Sequence, residues 1–403
     1  MTSVYPTARQ RLLGDLAGEL KALEAQGLRR RLASITSVDG PTVRVDGREV
    51  VNWCSNDYLG LSAHPALVDA ASRAAGEWGV GSRASRLLAG TTSWHTRLEE
   101  ALAAWFGVEA AVVYPSGYLA NLGTLGALLS SEDLVLVDRL AHASLFDAAR
   151  MSRATLRVFR HNDLSHLEAL LSRTGAAARR RLVVTEGLFS MEGECAPLAE
   201  LLQVAERHGA TVYVDDAHGA FVLGATGRGA PEAAEISHER FLYMGTLGKA
   251  LGCQGGFVAG PRMLIDYLHN RARTFIYTTA LAVPVAAAAA AALQLLQDEP
   301  GRRERLQDRV RRLEGRLASI VGARASATSP IVPVIVGAPQ QALDLAARVW
   351  DRGCWAPAIR PPTVPEGTAR LRLSVTALHT DAHIDALVEA LRDALSEISC
   401  GIA

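Results

Sequence analysis

The stretch "FLYMGTLGKALGCQGG", residues 241–256, carries one of only two lysines in a chain that holds 42 basic residues. Lys21 is the other, and the rest are arginines. A guanidinium stays protonated, whereas a lysine can lose its proton and become a nucleophile. Lys249 follows an apolar run and lies among glycines, where no surface ion pair is evident; arginine bias with a chance survivor stays open on the count alone. Upstream, "VYVDDAHGA" ends an apolar run on Asp215, with His218 three residues on. A carboxylate at the end of a buried strand is costly unless it faces a cation or donors. Asp215 would suit a protonated heteroaromatic nitrogen and His218 a ring substituent; the alternative is an acid that caps the following turn. Metal binding ranks low, because no H-x-x-x-H or H-E-x-x-H accompanies the pair. In "VVYPSGYLANLGTLGALL" a strand ends, Ser116-Gly117 turns and a helix begins at Tyr118. Such a helix N-terminus can hold one phosphate, although a plain Ser-Gly turn reads equally well. "GTLGKAL" is not a P-loop, since its spacing fails and Ala250 follows the lysine. "GVGSRASRLLAG" has G-x-G without the dinucleotide spacing.

These groups need a frame. From about 65 to 260, short apolar runs alternate with helical patterns: "AAVVYPSG", "DLVLVD", "LRVFRHND", "RLVVTEG", "ATVYVDDAHG", "FLYMG" and "GGFVAG". Nearly continuous apolar strands separated by helices predict a mostly parallel sheet covered on both faces. Ligands gather at the carboxyl ends of such strands. Ser116-Gly117, His161-Asn162, Glu186, Asp215-Asp216 with His218, and Thr246 all fall there. Before this region, residues 1 to about 32 read as a charged amphipathic helix, and Asp46-Gly47 signals a hairpin. After it come an alanine-rich helix, a long charged helix and a smaller α+β part with a final helix from about 380. The expected division is 1–48 as an N-terminal helix and hairpin, 49–285 as a large α/β domain, and 286–403 as a C-terminal α+β domain.

A phosphate cradle, an acid for a ring nitrogen and a lone amine together describe a pyridoxal phosphate site. The segments "SNDYLGLSAHP", "DRLAHAS", "TEGLFSMEG", "VDDAHG" and "GTLGKALG" resemble, in order and over nearly the whole chain, the α-oxoamine synthases. These fold-type-I pyridoxal phosphate enzymes join an amino acid to an acyl thioester with decarboxylation. The resemblance implies an α/β transferase with a large, mostly parallel-sheet domain and a smaller C-terminal α+β domain. The segment "GCWAPAIRPPTVPEGTARLRLSVTALHT" is most similar to members that use L-alanine and a pimeloyl thioester, carried by CoA or an acyl carrier protein. Members that use glycine and acetyl-CoA are the alternative. In "GSRASRLLAG", Arg83 and Ala84 stand where many members carry a glycine-rich loop bordering the acyl tunnel.

Residue by residue, the resemblance implies that Lys249 forms the Schiff base with the cofactor and removes the α-proton. Asp215 would pair with the pyridine nitrogen, His218 would contact the ring oxygen with Ser190 close by, and His142 would stack on the ring. Gly117, Tyr118 and Thr246 would hold the phosphate. Arg372 would grip the substrate carboxylate bidentately, Arg29 and Thr363 match positions associated with the acyl substrate, and Asn56 lies near the amino-acid site. A homodimer with the site between subunits is implied as well.

The composition narrows the partners. With 42 acidic residues against 42 basic, the formal net charge is zero, which argues against a broad nucleic-acid surface. The longest apolar run, Ala280–Leu293, contains Pro284 and is too short to span a bilayer. Five cysteines without C-x-x-C disfavour zinc ribbons and a disulfide framework. With no signal-peptide core at the N-terminus, a cytoplasmic protein without metal, membrane or nucleic-acid partners is expected.

Overall fold

The computed structural model describes residues 7–174, 178–321 and 329–400. The first six residues of the predicted 1–48 segment and the last three of 286–403 lie outside the described residues. The chain divides into two compact units. One comprises the segments up to Cys54, Pro333–Leu373 and from Asp385 on; the other comprises Ser55–Val332 and Ser374–Ile384.

Seven apolar runs become seven strands in the second unit. Their order across the sheet is Ala110–Tyr114, Gly256–Gly260, Leu242–Thr246, Thr211–Asp215, Arg181–Glu186, Leu134–Asp138 and Thr155–Phe159. All run parallel except Gly256–Gly260, which is antiparallel to both its neighbours. Strands such as Ala110–Tyr114 and Leu134–Asp138 are buried at every position, because helices cover both faces and remove the need for alternation. The edge strand Thr155–Phe159 is buried only at Phe159.

Helix Val283–Asp298 carries Pro284 in its first turn, where a missing N–H costs nothing. Its alanines bury a smooth face against helices Pro65–Trp78 and Ser93–Phe106. Residues 286–321 and 329–332, expected with the C-terminal part, group with the parallel sheet instead.

In the first unit, strands Thr42–Val45 and Arg48–Asn52 form the hairpin signalled by Asp46-Gly47. Both turn residues have positive φ, 49° and 81°, as the tight turn between twisted strands requires. Ile35–Asp39 extends the sheet on one side and Cys354–Trp355 on the other. Helix Ala8–Ala25 is capped by Thr7, whose hydroxyl accepts from Gln10 N. Helix Asp381–Cys400 matches the final helix expected from about 380, and helix Pro339–Asp351 precedes it.

Candidate active site

The carboxyl ends of three adjacent parallel strands deliver Glu186, Asp215 and Thr246 to one side of the sheet. There they line a single pocket with Gly117, His142, His218 and Lys249. The inward turn of the strand end explains Asp215: it is 4 % exposed and both its oxygens are engaged. Oδ1 accepts from Ala217 N at 3.0 Å and Oδ2 from Asn121 Nδ2 at 2.7 Å. The turn cap weighed from the sequence is therefore real, and it coexists with a pocket-lining carboxylate.

Lys249 Nζ lies 2.6 Å from His218 Nε2, and His218 Nδ1 lies 2.6 Å from the Tyr58 hydroxyl. Tyr58 donates to Asn56 Oδ1 at 3.2 Å. Proton directions consistent with all three contacts run one way: the lysine donates to Nε2, Nδ1–H donates to Tyr58, and Tyr58 donates to Asn56. Asn56 thus joins the chain of contacts that begins at the amine.

At the other end of the pocket, Ser116 caps helix Gly117–Leu128, its Oγ accepting from Leu119 N. The helix starts at Gly117, one residue before the position read from the sequence. A side chain on Gly256 would clash with the Gly117 backbone, so this helix start is packed directly onto the antiparallel strand. Thr246 Oγ1 donates to Gly255 O at 2.7 Å and accepts from Gly248 N at 3.2 Å. Tyr118 is 42 % exposed, donates to Asp147 Oδ2 and meets the His142 ring edge-on.

Ser190 is buried beside the pocket, with its N–H donating to Glu186 Oε2 at 3.1 Å. Burial, reinforced by the neighbouring Asp215, holds the Glu186 carboxyl well above the usual range. Its Oε1 is buried without a hydrogen-bond partner. Asp216 points the other way: its Oδ2 accepts from Ala230 N and the Tyr243 hydroxyl, and burial lifts its pKa to about 7. His161 and Asn162, also at a strand end, are bound by Asp138 and serve the frame. Burial raises the Cys54 and Cys253 thiols to about 12, so neither is a ready nucleophile.

Arg29 and Thr363 belong to the first unit, where they line a cavity of about 630 Å³ walled by Leu20, Leu23, Ile359 and Pro361. Arg29 pairs with Glu24 at 3.1 Å, while Thr363 Oγ1 accepts from Arg30 at 3.4 Å. Arg372, in strand Ala369–Ser374, is 5 % exposed.

The class I and II aminotransferase family matches residues 48–391. The chain belongs to that family. It is 50 % identical to an 8-amino-7-oxononanoate synthase of Anaeromyxobacter dehalogenans, covering 91 % of this chain and 92 % of that one. A second of the same name, from Azoarcus sp., is 46 % identical over 92 % and 95 %. Among solved structures, a Sphingomonas wittichii serine palmitoyltransferase superposes with a TM-score of 0.90 at 32 % identity, over 96 % of this chain and 98 % of that one. The Francisella tularensis 8-amino-7-oxononanoate synthase gives 0.75 at 27 % identity, over 87 % and 99 %. A serine palmitoyltransferase from S. paucimobilis, similar at a TM-score of 0.91 and 31 % identity over 97 % and 99 % of the two chains, holds PLP with myriocin. Within its family the chain stands with the α-oxoamine synthases.

The pocket fits pyridoxal phosphate. It sets a buried carboxylate, an amine, an imidazole and a helix N-terminus around one space, and the glycine contact at 117 and 256 brings backbone where a phosphate needs it. No group of three or more metal-ligating side chains occurs among the described residues. The sequence reading passed over Asn121, Ser144 and Tyr58 and noted Glu186 only as a strand end. Asn121 was accessible as the residue one helical turn after Gly117, on the same helix face. The partners of Ser144 and Tyr58 lie far away in sequence, beyond any local pattern.

Proposed function

We propose that this chain condenses L-alanine with a pimeloyl thioester, releasing carbon dioxide and the carrier thiol, and so forms 8-amino-7-oxononanoate. The observation that carries the reading is the meeting of Lys249, His218, His142 and Asp215 in one pocket, in a chain half identical to synthases of that name. Bound pyridoxal phosphate supplies an electron sink for charge developing at the amino acid's α-carbon.

Lys249 Nζ is the base that takes the α-proton and returns it, and its contact with His218 Nε2 aims it. Asp215, its oxygens held in place by Ala217 N and Asn121, would supply the negative charge that keeps a proton on the cofactor's ring nitrogen. His218 and Ser190 would hold the cofactor's ring oxygen, His142 would pack on its ring, and Thr246 with the Gly117–Tyr118 helix start would hold its phosphate. The buried walls exclude water, which strengthens each of these contacts. Arg372 would grip the alanine carboxylate with its planar fork, and Asn56 is assigned to the amino-acid substrate as well. The leucine-walled cavity with Arg29 and Thr363 receives the acyl substrate; its length of apolar wall suits methylenes and its guanidinium an anionic group. A homodimer with the site shared between subunits, acting in the cytoplasm, completes the proposal. No helix among the described residues is long and apolar enough to cross a membrane.

The test compares kcat/KM for acetyl-, hexanoyl- and pimeloyl-CoA with alanine, then glycine for alanine. Pimeloyl-CoA with alanine should lead. A methyl group in an apolar pocket is worth about 1–3 kcal/mol, so alanine should surpass glycine by no more than about two hundredfold. A lead for glycine with acetyl-CoA would replace this reading.

A further inference from the structure

Asn121 is 1 % exposed and makes a hydrogen bond with every polar atom of its amide. Nδ2 donates to Asp215 Oδ2 at 2.7 Å and to Ser144 Oγ at 2.8 Å, while Oδ1 accepts from the Tyr213 hydroxyl at 2.8 Å. The amide's orientation follows from its neighbours. A carboxylate oxygen only accepts, so the NH2 group must face Asp215, and the carbonyl is left to Tyr213. Tyr213 is itself fully buried in the strand that ends at Asp215, which leaves the amide no room to turn over.

The consequence reaches a second residue of the pocket. Ser144 Oγ accepts from Asn121, so its own proton points to its other neighbour, His142 Nδ1, at 2.7 Å. The Ser144 backbone N–H, which can only donate, also faces Nδ1 at 3.3 Å. Two donors on one ring nitrogen leave that nitrogen bare. A neutral imidazole then carries its proton on Nε2. Burial favours the neutral ring; the charged groups around it are Asp215 and Asp147, which oppose burial, and Lys249, which acts with it. His142 lines the pocket that Asp215 and Lys249 line.

We propose that Asn121 is a positioning residue: acting through Ser144 it locks His142 as the Nε2–H tautomer, so that His142 offers that proton to an oxygen of the bound substrate, while the same amide holds Asp215. The tautomer follows from the protein alone; only the identity of the substrate oxygen rests on the proposed function. One buried amide thus couples two groups that line the pocket, the Asp215 carboxylate and the His142 imidazole. Local pairing of His142 with Ser144 would not require Asn121, and that difference is measurable.

The experiment is ¹⁵N NMR of the full-length chain labelled at histidine, with and without pyridoxal phosphate. The ¹⁵N shifts separate protonated from bare ring nitrogens, and His142→Gln identifies the His142 signals by their loss. The wild type is expected to show Nε2–H at His142 in both forms. Ser144→Ala keeps the Asn121–Asp215 bond but removes the hydroxyl donor, and should lower the Nε2–H to Nδ1–H ratio by roughly five- to tenfold, the worth of one such bond. Asn121→Asp puts an acceptor where the amide donated. It should draw the Ser144 proton away from His142 and move the signal to Nδ1–H or to the doubly protonated ring. Nδ1–H in the wild type overturns the proposal, as does an unchanged ratio in Ser144→Ala or an unmoved signal in Asn121→Asp; Asn121→Leu, which removes the amide donor without adding a charge and should lower the Nε2–H share, takes its place if Asn121→Asp does not fold. Nε2–H in a protein that fails to turn over alanine and pimeloyl-CoA would sustain this proposal and reject the proposed function.

Discussion

Lys249 Nζ and His218 Nε2 stand 2.6 Å apart, and the Tyr58 hydroxyl at 2.6 Å from Nδ1 on the far side of the ring fixes which nitrogen carries the proton. The amine therefore donates to a bare ring nitrogen. Tyr58→Phe removes the acceptor for Nδ1–H and lets the proton migrate to Nε2, where it opposes the lysine. We expect kcat to fall about tenfold, the worth of one such hydrogen bond, with little change in the thermal midpoint. An unaltered kcat would show that the ring needs no help from Tyr58.

Lys249→Arg keeps a cation in place of the amine but cannot become neutral near physiological pH. Turnover should drop by roughly 10²–10⁴, the range for a lost general base. Exchange of the alanine α-proton with deuterium, followed by NMR, reports this step directly; exchange at the wild-type rate would remove Lys249 from the role of base.

Asp215→Asn keeps the size of the side chain and one acceptor for Ala217 N, so the turn should survive. The negative charge at the pocket does not, and on the proposed role of Asp215 kcat should fall by about 10²-fold or more. Circular dichroism alongside the assay separates the two functions of this residue. Activity within about twofold of wild type would leave Asp215 as the turn cap alone.

Asp216 makes stability depend on pH. Burial raises its carboxyl from 3.8 to about 7 in the folded chain, with Asp215 adding repulsion. The folded state therefore keeps a proton that the unfolded state has already released. This contribution is fully present below about pH 4 and is lost as the pH rises through 7. Asp216→Asn should flatten the fall in thermal midpoint between pH 4 and 7. Side chains on Gly187, Gly219 or Gly229 would collide with the Asp216 carboxyl, so the bulk at 216 must be conserved in the test. An equally steep decline in the Asn variant would assign the dependence to other groups.

Arg83 has φ of +65°, a left-handed conformation that costs an L-residue with a side chain about 1–2 kcal/mol. Its guanidinium donates to Trp78 O at 2.9 Å. Arg83→Gly should relieve the backbone while giving up that bond and some chain stiffness, so the terms nearly cancel and stability should change by less than about 1 kcal/mol. Urea denaturation measures it. A larger loss of stability would show that the Trp78 contact outweighs the strain.

Much of this protein was determined by local pattern. Seven apolar runs separated by helical periods pointed to a mostly parallel sheet, because strands covered on both faces are apolar throughout; that Gly256–Gly260 runs antiparallel was not legible in them. Lys249, Asp215 and His218 were identifiable because their types are wrong for their surroundings: an amine among glycines, and an acid and an imidazole leaving a buried strand. Asp46-Gly47 similarly announced its hairpin through the positive φ that both positions adopt.

Only the tertiary structure decided how these groups are held. The strand order places 186, 215 and 246 side by side although they are far apart in the chain, and no periodicity encodes that order. The pairings Asn121 to Asp215 and Tyr58 to His218 span 94 and 160 residues. Protonation states follow from such pairings and from burial, so the raised carboxyls of Glu186 and Asp216 were equally out of reach. Helix Val283–Asp298 joins the sheet unit because its small side chains allow close packing on two helices formed some two hundred residues earlier. Sequence sets which chemistry a residue can offer; distance, burial and partners in the folded chain set which proton it holds.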